Sequence, residues 1–90
     1  MTNKSTNFVR WLRIETCKAE LQQKELAIQA GLSKNTISKY FQGSWLPSLT
    51  NYKAICEVLA ENQTHIYSLS RKEAKNLLSS LILEGIKSLK

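Results

Sequence analysis

QKELAIQAGLSKNTISKYFQ, residues 23–42, is the stretch on which the fold of this chain turns. Gly31 can take the left-handed backbone that closes a helix, and the hydroxyl of Ser33 just beyond can cap the next one. The pattern predicts a helix from Gln23 to Gly31, a turn of about three residues, and a second helix that ends at Gly43. Helices meeting across so short a turn need a small residue where they cross and apolar residues in the wedge between them. Ala27 is the small residue, and Leu26, Leu32, Ile37 and Tyr40 fill the wedge, while polar side chains take the outer face of the later helix.

Upstream of this stretch, Thr6 or Asn7 is expected to cap a first helix that turns Phe8, Trp11, Leu12 and Ile14 inward and ends before Leu21. Downstream, SWLP at 44–47 reads as a loop, with Pro47 as the first residue of a fourth helix. Leu49, Tyr52, Ile55, Cys56 and Leu59 form the inner stripe of that helix, the polar run ENQTH at 61–65 ends it, and IYSL adds a short helical turn. Ser70 and Glu73 make a capping box that opens a last helix. Its apolar positions, from Ala74 to Leu89, spread over about half of the helical wheel, wider than a small core requires, and Leu83 lies opposite their centre. With three Gly, one Pro and no strand-length alternation, the fold class is all-α.

Ninety residues suit one small domain with a modest core, so a partner subunit is a natural source of extra stability. Thirteen Lys and Arg against seven Asp and Glu give a net charge of +6, with +3 in residues 1–61 and +3 in residues 62–90. Polyanions are the natural partners of such a chain, although proteins that bind none can carry the same excess. Cys17 and Cys56 are far apart and sit within apolar helical patterns, so both read as small core residues and neither as a disulfide or metal ligand. The lone His65 reads as a surface residue. Without a phosphate-binding Gly loop or a clustered set of reactive side chains, neither an enzyme nor a cofactor is expected. MTNKSTNFVRWLR lacks the apolar stretch of a signal peptide, and no apolar run approaches the roughly 20 residues that cross a bilayer. A soluble cytoplasmic protein with no membrane partner is the expectation.

QKELAIQAGLSKNTISKY, together with LPSLTNYKAICEVLA after it and FVRWL before it, resembles the phage-repressor-like helix-turn-helix family, which includes lambda and Cro-type repressors and XRE-type regulators. The resemblance covers roughly residues 8–61. It departs at Thr16, where an apolar residue is common, at Glu20, where Gly is frequent, at Gln22, where Ser or Thr usually caps, and at Phe41, where Glu is frequent. It implies a compact, four- to five-helix, lambda-repressor-like DNA-binding domain over residues 1–69, with the amphipathic helix of residues 70–90 added. It also implies a bacterial cell or a phage-infected host, and double-stranded DNA as the partner.

In that fold the N-terminal part of the recognition helix enters the major groove, where base edges present distinct donor and acceptor patterns. The resemblance places Lys34, Asn35, Thr36 and Lys39 there. Asn35 suits adenine, Lys34 or Lys39 suits guanine, and the Thr36 methyl suits thymine. Phosphate contacts are implied for Gln23, Ser33, Ser44, Trp45 and Ser48, with longer-range attraction from Lys24 and Lys53; helix N-termini at Gln23 and Ser48 suit an anion even with neutral side chains. Each role has a plainer competitor: Lys34 and Lys39 as solvated charges, Asn35 as a residue tolerated near a cap, Ser33 as a cap alone, Trp45 as a lid over the core, and Tyr40 as core.

One such module reads few base pairs, so a homodimer on a roughly palindromic operator is expected, acting as a transcriptional repressor. The stripe containing Leu77, Leu78, Leu81, Ile82, Gly85 and Ile86 is the candidate dimerisation face, with Gly85 allowing two backbones to approach. An alternative from another class is an antitoxin-like interaction module, in which the last helix binds a protein partner and DNA binding is auxiliary.

Overall fold

The structure, a computed structural model, describes residues 4–89. Five helices follow one another: α1 (Lys4–Lys18), α2 (Gln23–Ala30), α3 (Lys34–Gln42), α4 (Leu49–Tyr67) and α5 (Arg71–Ser88). No strand occurs among the described residues, and the all-α class is therefore what the chain adopts.

Phe8, Trp11, Leu12, Glu15, Thr16 and Ala19 are the buried residues of α1 and the turn after it, at the i, i+3, i+4, i+7 spacing of one helical face. That register turns Ile14 and Cys17 to solvent, which corrects the expectation that both belong to the core. Because α1 is already helical at Lys4, Thr6 and Asn7 lie inside its first turns and do not precede it as caps. Two polar residues on the buried face are treated differently. The Gln63 amide of α4 donates to the Glu15 carbonyl at 3.1 Å and to its carboxylate at 3.0 Å, and Lys18 approaches the other carboxylate oxygen at 3.4 Å. The Thr16 hydroxyl is buried with no partner among the described residues.

Tyr52, Ile55, Cys56, Val58, Leu59, Ala60 and Gln63 are all buried on α4, which runs through the middle of the molecule with α2 against one side and α1 and α5 against others. The helix begins after Pro47, with Ser48 as its cap, so Pro47 is not its first residue. Leu49 at its first position lies before the core begins and is exposed, against expectation. Nor does ENQTH end the helix. Gln63 turns inward to Glu15, and Asn62 donates to Val58 carbonyl and to Gln29 on α2, both at 2.8 Å, so the polar run is tied into the fold and α4 continues to Tyr67.

Each of the first four helices closes in the same way, with a residue in the left-handed region whose neighbour's N–H reaches back to a carbonyl five residues earlier. Gly31 and Gly43 do this with φ of 71° and 79°; Glu20 and Ser68 do it with φ of 54° and 51° and carry the cost of a side chain there.

The last helix starts as the capping box predicts. Glu73 N–H donates to the Ser70 hydroxyl at 3.2 Å and Ser70 N–H donates to the Glu73 carboxylate at 3.0 Å, which holds that carboxyl below its ordinary range. Leu81 and Gly85 are buried, and Leu77, Leu78, Ile82, Ile86 and Leu89 pack half-buried on the same core, so α5 shares the core of the preceding helices.

Candidate nucleic-acid interface

The α2–α3 unit is held from within. Leu26 and Ile37 are fully buried, Ala27 and Tyr40 nearly so, and the N–H groups of Gly31 and Leu32 close α2 on the carbonyls of Ile28 and Ala27. At Gln22 the cap is formed from the other side of the box, its backbone N–H donating to the Glu25 carboxylate at 2.9 Å. Tyr40 anchors α3 to α4 by accepting a bond from the Asn51 amide at 2.9 Å, and the Arg13 guanidinium of α1 reaches the Phe41 carbonyl at 3.4 Å. Both bonds hold the last turn of α3, and buried Ile37 holds its first turn on the core, so the outer face stands on a fixed base.

With Ile37, Tyr40 and Phe41 buried, the 100° advance per residue puts Asn35, Lys39 and Gln42 at the centre of the outward face, with Ser38 beside them and Lys34 on the flank next to Phe41. Asn35, Lys34 and Gln42 are exposed and Lys39 is half-exposed. Of the four expected base readers, the structure therefore groups Asn35 and Lys39 on one surface, while Lys34 is exposed in the first turn to one side of it. Thr36 stands at its edge, its hydroxyl accepting from Ser33 at 2.7 Å while its N–H donates to Ser33 at 3.0 Å. Its methyl remains the part with something to offer a base. Ser33 is thus a cap, and its hydroxyl is already engaged.

Gln42 and Ser38 were not anticipated from the sequence. The Gln42 amide donates to the Ser38 hydroxyl at 3.2 Å, which orients it along the outer face, and a carboxamide of this kind can pair with an adenine edge as Asn35 can. The signal was present in the i, i+4, i+7 spacing of Asn35, Lys39 and Gln42.

Gln23 and Lys24 are exposed in the first turn of α2, and Ser48 is exposed as the cap of α4, its hydroxyl accepting from Asn51 N–H at 3.2 Å. Helix starts of this kind direct free backbone N–H groups and a positive dipole end outward. Ser44 is exposed, and Trp45 is 48% exposed and stands outside the core, so its ring is available at the surface between α3 and α4. Lys53 is exposed one turn into α4. Among the described residues no group of His, Cys, Asp or Glu is arranged to hold a metal ion, and no helix is long and apolar enough to cross a membrane.

A sequence model described as a helix-turn-helix domain matches residues 7–66, two thirds of the chain. The chain belongs to the helix-turn-helix domain family. The match spans α2 and α3 and extends through nearly all of α4, leaving α5 outside. No match was found among curated proteins or among solved structures. A helix-turn-helix domain with a polar, lysine-bearing outer face on its second helix points to a regulator that binds DNA.

Proposed function

We propose that this helix-turn-helix protein is a phage-repressor-like, XRE-type transcriptional repressor that binds a sequence-specific, roughly palindromic operator as a homodimer, with no catalytic activity of its own. The observation that carries the reading is the outer face of α3. Asn35, Lys39 and Gln42 share it, with Lys34 exposed at the start of the helix, and the other side of the helix is fixed by Ile37 and Tyr40. Side chains at fixed positions can discriminate base edges, whereas charge alone confers affinity without sequence. Asn35 and Gln42 read adenine, Lys34 and Lys39 read guanine, and Gln23, Lys24, Ser44, Trp45 and Ser48 position the domain on the phosphates. Occupying the operator blocks polymerase.

The dimer part of the reading rests on the few base pairs that one such module can read and on the half-buried flank of α5. Leu81 and Gly85, at the centre of the expected dimer stripe, face the chain's own core and are not available to a second copy. Selection of binding sites from random duplex DNA, with affinity measured against salt, tests the proposal. An enriched sequence with two inverted half-sites about one helical turn, roughly 34 Å, apart supports it; binding that falls with salt and enriches no sequence overturns it.

A further inference from the structure

A groove of about 390 Å³ opens between the second half of α4 and the first half of α5, and no residue of α3 lines it. Its floor is apolar and made of small side chains, chiefly Ala60 and Ala74, with Leu78 at one end. Glu57 and Glu61 stand on the α4 wall, Arg71 and Lys75 on the α5 wall. All four charged residues are exposed, and among the described residues none makes an ion pair, although opposite charges line the same groove. Small residues on two adjacent helices let further helices approach closely, and unpaired charges of opposite sign on the two walls fix which way a partner can lie.

We propose that this groove seats a second copy of the chain, related by a twofold axis that runs along the groove. The charges choose that axis. A twofold interface is self-complementary, so each wall must face one of the two walls of the other copy. An axis across the groove would set Glu57 and Glu61 against the same acids of the partner copy, and Arg71 and Lys75 against the same bases. An axis along the groove sets the acidic wall over the basic wall twice, and α4 and α5 of the two copies then form a four-helix arrangement around Ala60, Ala74 and Leu78. The proposal rests on the reading of the protein as a dimeric regulator and relocates its interface: of the stripe expected from the sequence, Leu78 takes part, while Leu81 and Gly85 remain inside the protomer.

The test is sedimentation of the full chain at micromolar concentration, in low and high salt, for the wild type and two charge-reversed variants. One variant carries Glu57→Lys with Glu61→Lys, the other Arg71→Glu with Lys75→Glu; circular dichroism confirms that each keeps its helical content. The wild type sediments as a dimer that weakens as salt rises, each variant alone associates at least about tenfold more weakly, and an equimolar mixture of the two regains a dimer. If a variant loses its helices, the salt dependence of the wild type decides, because a dimer insensitive to salt overturns the groove interface. Variants that dimerise as well as the wild type overturn the groove and leave the dimeric regulator standing. A wild-type chain that stays monomeric at every concentration overturns both.

Discussion

A Cβ added at Gly31 would meet no atom within 4 Å, whereas one added at Gly85 would fall on the Tyr52 side chain, 2.8 Å from two ring carbons and closer still to the hydroxyl. Gly31 closes α2 with a φ of 71°, so the α2–α3 turn needs glycine for its backbone conformation and has space to spare. Gly85 lies in the middle of a regular helix and needs no special conformation. What it provides is access. The Tyr52 hydroxyl reaches the backbone of α5, donating to Ile82 carbonyl at 2.6 Å and to Leu81 carbonyl at 3.3 Å, and a methyl group at position 85 would occupy its place. The first glycine belongs to a local motif and the second to a contact between helices 33 residues apart in sequence, counting from Tyr52. One can be read from neighbours in the chain; the other cannot.

The largest effect is therefore expected at Gly85. Gly85→Ala forces Tyr52 out of its seat, and thermal or urea unfolding should show a loss of about 2–3 kcal/mol, with near-ultraviolet dichroism reporting the displaced ring. Combining it with Tyr52→Phe should give less than the sum of the two single losses, because both act on one contact. An additive result would separate the glycine from the tyrosine and break the comparison.

At Gly31 the expected loss is smaller, about 1–2 kcal/mol for Gly31→Ala, since only the left-handed backbone is penalised. The reverse experiment sharpens the point. Glu20 holds φ of 54° in the equivalent place after α1, so Glu20→Gly should stabilise the protein by about 1 kcal/mol, measured by the same unfolding curves. No gain would mean that side-chain contacts of Glu20 outweigh its backbone strain.

Thr16→Val tests the buried face of α1 in a similar way. It removes a buried hydroxyl without a partner at nearly constant volume, and a gain of about 1 kcal/mol is expected. At the outer face of α3, by contrast, Asn35→Ala, Lys39→Ala or Gln42→Ala should leave stability within about 0.5 kcal/mol while changing which bases are selected. An unchanged preference for all three would remove the reading role from that face.

A separate effect concerns pH and appears only in alkaline solution. Burial pushes the Cys56 thiol up to about 11 and the Tyr52 phenol well above its ordinary range, so the folded state favours both neutral forms. The contribution of Cys56 is complete below the ordinary thiol value of 9.0 and is lost as pH rises through about 11, while that of Tyr52 begins to fall only above the ordinary phenol value of 10.0. Unfolding free energy should accordingly fall between pH 9 and 11, and in the folded protein a maleimide should label exposed Cys17 and spare Cys56.

The α2–α3 unit was legible because every determinant is local. Ala27, Gly31, Ser33 and Ile37 act on residues within one or two turns of themselves, through φ preferences, a capping hydroxyl and the crossing of adjacent helices. The outer face of α3 followed from the same register, and Gln42 was missed only because the face was read no further than Lys39. Elsewhere local patterns misled. Ile14, Cys17 and Leu49 are apolar yet exposed, and ENQTH is polar yet helical, because their burial depends on which helix lies opposite and not on residue type.

By itself the sequence determined an all-helical chain, the turn between α2 and α3, the capping box of α5 and the polar outer face of α3, since each depends on interactions within a few residues. Only the tertiary structure decided how the broad apolar stripe of α5 is divided. Tyr52 on α4 claims Gly85 and the carbonyls of Leu81 and Ile82, and what α5 and α4 leave open is the groove between Glu57, Glu61, Arg71 and Lys75. A helical pattern fixes which residues share a face, whereas the partner of each part of that face is set by packing between helices distant in sequence.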